Sequence, residues 1–175
     1  LQGPDIFFYY LPSYVLEGHN IGALAHVRET SAFFQGLIES RNQFSSRTDL
    51  NIAEAYLIGF LGHYTLDTIC HPYIYAMTHY KDKKEKAYFS RHAYLETDID
   101  TALLDLKLHR QPCNFHTEDT IRLTHRQKHV IASMLYYAYR YAFPDVKFRK
   151  YTMYLAIFSM QLGLWLMHDD SGKTS

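Results

Sequence analysis

From Ile52 to His71 the apolar residues run almost without a break, and the polar residues that interrupt them include His63, Asp67 and His71, spaced four apart. A run of that length reads as a helix, because strands are bounded at about 4–8 residues. On a helix, positions i, i+4 and i+8 share one face, so the three side chains form a single stripe. The helix is expected to be central in the fold and to end at Cys70 or His71, ahead of Pro72, with Asp49 or Asn51 as its cap. A charged stripe on a buried helix costs several kcal/mol unless it is paired or coordinated. The fold therefore has to supply partners for it.

The same periodicity predicts helices over 22–41, 87–108, 118–143 and 145–168, the last two separated by Pro144. Residues 1–20 hold two prolines, two glycines and the aromatic patch Phe7, Phe8, Tyr9, Tyr10 and Tyr14, and read as an irregular segment folded over the helices. KDKKEK at 81–86 is a solvated stretch and RQPCNFH a turn. Strand alternation, internal repeats and low-complexity segments are absent. The expected class is all-α: one compact multi-helix domain over residues 1–175, with a metal cluster between helices.

With 175 residues, 47% of them hydrophobic, the chain can bury a full core. Its 18 basic residues cancel its 18 acidic ones, so no global field draws it to nucleic acid or to an anionic membrane. Its longest apolar run, 154–167, is interrupted by Gln161 and falls short of the roughly 20 residues of a membrane span. Cys70 and Cys113 make no disulfide framework and fit a reducing compartment, hence a cytoplasmic localisation.

Eleven histidines make spacing the useful filter. The segment RHAYLETDID repeats the first pattern, with His92, Glu96 and Asp100 four residues apart. Two such stripes face to face would form a box of imidazoles and carboxylates, a ligand set suited to zinc. His63 and His71 lie about 12 Å apart along their helix, so one ion cannot easily take both, and Asp67 sits where a carboxylate can bridge two. His125 and His129 lie among polar and basic residues and read as a solvated face; His79, His109 and His116 read as surface, and His168 as a helix end.

Together GPDIFFYY (3–10), GALAHVRET (22–30), NIAEAYLIGFLGHYTLDTICHPY (51–73) and HAYLETDID (92–100) resemble the bacterial zinc-dependent phospholipase C family, with a weaker likeness in LWLMHDDSGK. That superfamily also takes in single-strand-specific nucleases and a region of glycosylphosphatidylinositol-specific phospholipase D. The resemblance implies an all-helical fold, two or three zinc ions and hydrolysis of a phosphodiester such as a phospholipid by zinc-bound hydroxide. It implies Asp5, His26, His63 and Asp67 as ligands of a first ion, and His71, His92 and Glu96 as ligands of a second. Asp67 would bridge to a third ion, for which His19 is a further candidate, and Asp5 and Asp67 would be the catalytic carboxylates. Two alternatives stand beside this: an HD-type phosphohydrolase, which wants an adjacent pair such as His168–Asp169, and a zinc-binding module without turnover.

Overall fold

The computed structural model describes residues 3–10, 12, 21–79 and 86–169. Among them are six α-helices: α1 Ile21–Val27, α2 Thr30–Ser40, α3 Arg47–Met77, α4 Lys86–Leu108, α5 His125–Ala142 and α6 Lys150–Met167. Short 3₁₀ helices, the first of them Gly3–Tyr9, fill several connections, and no strand occurs among the described residues. The all-α class holds. The chain divides into two compact units, Leu1–His63 with Glu118–Leu166, and Tyr64–Thr117 with Met167–Ser175.

The first unit owns the principal core. On α5, Val130, Ile131, Met134, Leu135, Ala138, Tyr139 and Ala142 are buried, the spacing of one helical face. Leu37 of α2 and Met153 of α6 are fully buried as well. Tyr139 organises the aromatic part: Phe7 and Phe33 meet its ring edge-on at 5.3 and 4.9 Å, and its hydroxyl donates to the carbonyl of Ile21 at 3.1 Å. Gly36 lets α2 and α5 approach closely, since a Cβ there would lie 2.9 Å from Ala138 Cα. In the aromatic patch Phe7 and Tyr10 are buried core, whereas Phe8 is exposed.

The second unit holds the C-terminal part of α3 together with α4. Ile74 and Thr78 are buried, and Arg91 Nε donates to the carbonyl of Thr78 at 3.1 Å, tying α4 to the end of α3.

Several expected boundaries are corrected. The helix expected over 22–41 is two, because Glu29 takes a left-handed φ of 53° and turns the chain between α1 and α2. The helix predicted to stop before Pro72 runs on to Met77. A proline inside a helix forfeits one i→i−4 bond and strains the turn before it, but it does not forbid continuation. Asp49 is no cap: it lies in the first turn of α3 and accepts from Arg126 Nε at 2.7 Å. That guanidinium holds the Asp49 carboxyl below its usual range. Residues 118–124 are not α-helical; a 3₁₀ helix Thr117–Ile121 precedes α5, and α6 starts at Lys150 rather than at residue 145. Nor is α3 buried along its whole apolar run: Ile58 and Ile69 are 71% and 70% exposed. A helix buries only the stripe its neighbours reach, whatever its mean hydropathy. The lysine-rich stretch 81–86, Tyr14 and His19 lie outside the residues whose side chains are described.

Candidate metal centre

In the first unit the Gly3–Tyr9 3₁₀ helix is pinned by Phe7, fully buried against Tyr139. Asp5, two residues away on a helix of about three residues per turn, is thereby turned off the core face. Its Oδ1 lies 3.0 Å from His26 Nε2, and its Oδ2 lies 3.6 Å from His63 Nε2. His26 comes from the end of α1, and its Nδ1 donates to the Gly22 carbonyl one turn back at 2.8 Å. A carbonyl only accepts, so Nδ1 carries a proton and Nε2 is the nitrogen turned to the carboxylate. A lone pair against a carboxylate oxygen is repulsive unless a cation or a proton lies between them. Gly3 closes the other side: it has φ +48°, and a Cβ at this position would fall 2.2 Å from His63 Cδ2.

The second unit repeats the composition with different helices. His92 and Glu96 are one turn apart on α4, with His92 Nε2 2.9 Å from Glu96 Oε1. His71 of α3 brings its Nε2 to 3.7 Å from the same oxygen. The Tyr88 hydroxyl lies 3.0 Å from His92 Nδ1, the position of a group that fixes a ligand ring from behind. Tyr75 stacks on His71 with ring centroids 5.4 Å apart.

In each trio every residue offers one ligand atom, and these atoms lie within 4.8 Å of one another. Tetrahedral zinc contacts of about 2.1 Å set neighbouring ligand atoms about 3.4 Å apart. The observed separations of 2.9 to 3.7 Å bracket that value. The donor type agrees too, since two imidazoles and one carboxylate suit zinc and leave room for water or substrate. On chemistry and spacing both trios fit the ion.

The structure thus brings together Asp5, His26 and His63 in one cluster and His71, His92 and Glu96 in another. The single box drawn from two helical stripes becomes two clusters, because His63 turns to ligands supplied from residues 5 and 26. Asp67 belongs to neither group of converging atoms, though it stays on the stripe of α3 one turn from His63 and one from His71. Asp100 also lies outside both. Sequence spacing did not reveal Gly3, Tyr75 or Tyr88, since no periodic signal marks a group that supports a ligand. Within the second unit, His116 and His168 stack with ring centroids 4.4 Å apart, although each had read as an isolated histidine.

An all-helical chain with at least two histidine–carboxylate clusters of zinc-like geometry among its described residues is the class of protein these observations define. The model of one family, zinc-dependent phospholipase C, matches residues 3–156, and the chain belongs to that family. The match spans both clusters. No curated protein and no solved structure matches the chain. No helix among the described residues is long and apolar enough to cross a membrane.

Proposed function

We infer that the protein is a zinc-dependent phosphodiester hydrolase acting on a phospholipid or a similar phosphodiester. The observation that carries this is the convergence of Asp5, His26 and His63 beside a family assignment that already indicates zinc dependence. One carboxylate and two neutral imidazoles around a dication leave a net charge of about +1 per cluster, which favours an anionic phosphodiester although the whole chain is neutral. Bound zinc would supply the Lewis acidity that polarises phosphoryl oxygens and lowers the pKa of water to about 7. The chain's own residues orient and exchange protons around that chemistry. His26 is held by the Gly22 carbonyl and His92 by Tyr88, so both rings are set before substrate arrives. Asp5 Oδ2, the more loosely held of its two oxygens, takes the proton of the attacking water. Asp67, on the same stripe of α3, is a further proposed ligand, although its carboxylate does not converge with either trio. Phe8, exposed beside His26 at 5.3 Å between rings, gives the site an apolar edge. No serine or cysteine nucleophile is needed.

The test is turnover of bis-p-nitrophenyl phosphate by zinc-loaded protein, compared with Asp67→Asn. Wild type is expected to hydrolyse it, and the variant to fall to the uncatalysed background with less bound zinc. A variant that keeps most of the wild-type rate would remove Asp67 from the site. A zinc-replete wild type that turns over no phosphodiester would favour the non-catalytic module instead.

A further inference from the structure

The second unit holds a pair of histidines that neither cluster uses. His116 lies between the 3₁₀ helices Pro112–Asn114 and Thr117–Ile121, and His168 directly follows α6. They are 52 residues apart in the chain, so no helical periodicity pairs them. The fold nevertheless brings their ring centroids to 4.4 Å at an interplanar angle of 33°. Within the same unit the two imidazoles of the metal-fitting trio, His71 and His92, stand 5.4 Å apart at 32°. The two pairs share their tilt, and His116 and His168 are the closer. Rings held in this way can each turn one nitrogen to a common ion, since neighbouring ligand atoms around tetrahedral zinc lie about 3.4 Å apart.

His116 is exposed and His168 half-buried, so the contact is no part of the apolar core and an ion has an entry path from solvent. The donor type narrows the ion: imidazole nitrogen suits zinc, nickel and copper, whereas magnesium and calcium favour oxygen. The pair also stands apart from the family's ligand set. The family match ends at residue 156, so His168 lies beyond the stretch on which the assignment rests.

We propose that His116 and His168 supply two ligands of a further divalent transition-metal site, distinct from both trios, whose ion cross-links the segment after α4 to the residues that follow α6. Water reaches the exposed His116, so this ion exchanges during dialysis, where the trios retain theirs. The site does not depend on hydrolysis by the trios, and its test reads metal and stability rather than turnover.

Zinc-loaded protein, dialysed to remove loosely held ions, is equilibrated with nickel chloride, and both metals are then counted by elemental analysis. With zinc already in the trios, nickel reports on other sites. Wild type is expected to take up one nickel per chain with its zinc unchanged, and His116→Ala and His168→Ala should each lose that nickel and keep the zinc. His129→Ala is the control, because it breaks the other close-spaced pair, His125 and His129, four apart on α5. It should take up nickel as the wild type does. Nickel should also raise the melting temperature of wild type and leave that of His168→Ala unmoved, since an ion that binds only the folded pair stabilises it. Should one of the two alanine variants not fold, the other decides. If the trios hold no zinc, nickel enters them as well, and the difference between wild type and His168→Ala still isolates the pair. No nickel uptake by wild type, uptake matched by an equal loss of zinc, uptake that survives His116→Ala and His168→Ala, or uptake abolished by His129→Ala overturns the site. Bound nickel without a rise in melting temperature overturns the cross-link.

Discussion

Gly3 shows how much of a ligand set is decided by a residue that carries no chemistry. At φ +48° it occupies a backbone region that costs an L-residue about 1–2 kcal/mol, and a methyl group there would overlap His63. Both effects act on the same imidazole. Gly3→Ala is expected to lower the melting temperature and to weaken zinc binding, because His63 must move off its ligand position to make room. His63→Ala removes the ligand without straining the backbone, so it should lose zinc with a smaller stability change once a chelator is present. Thermal unfolding of both variants with zinc and with chelator separates the two effects. A Gly3→Ala protein with wild-type zinc content and melting temperature would mean that the glycine does not position His63. GPD was visible in the sequence as a motif, but the sign of a φ angle was not.

Among the elements, α4 was legible almost to the residue because its flanks are polar and its apolar positions recur at helical spacing. The division between α1 and α2 was not, since Glu29 is an ordinary helix former and only the packed fold turns it left-handed. The start of α5 carried a readable signal that periodicity overrode. In THRQ, Thr124 Oγ1 accepts from the Gln127 amide at 3.3 Å, and Gln127 Oε1 accepts from the Thr124 amide at 2.8 Å. This capping box satisfies donors that a helix begun at residue 118 would have left inside its ladder. Thr124→Ala should destabilise the protein by about 1 kcal/mol in urea unfolding, within the usual range of 0.5–2 for a lost N-cap. Zinc content should not change, because no cluster residue lies on α5. Loss of zinc alongside stability would show that the cap reaches further than its own helix.

For the molecule as a whole, zero net charge and pI near neutrality hide local concentrations of ligands among the described residues, with at least one trio inside each compact unit. Spacing alone exposed the helical half of them, the stripes on α3 and α4. Asp5 and His26 have no periodic partner and could be tied to His63 only through resemblance to a family, because contacts across 37 or more residues leave no local pattern. The two trios make a quantitative prediction about the whole chain. Each trio is complete without the other's residues, so each should load its own ion. Wild-type protein dialysed against zinc is expected to retain at least two ions per chain by elemental analysis, with His26→Ala and His92→Ala each losing about one and the double variant losing both. Each ion lost should also remove ligand-linked stability, about 2.7 kcal/mol for free zinc at a hundred times the dissociation constant, so the double variant should melt below either single one. A wild type holding one ion would leave only one trio as a site, and whichever single variant kept that ion would identify the trio that does not bind. If both single variants lost all their metal, the two clusters would be coupled, and neither could be described as a site independent of the other.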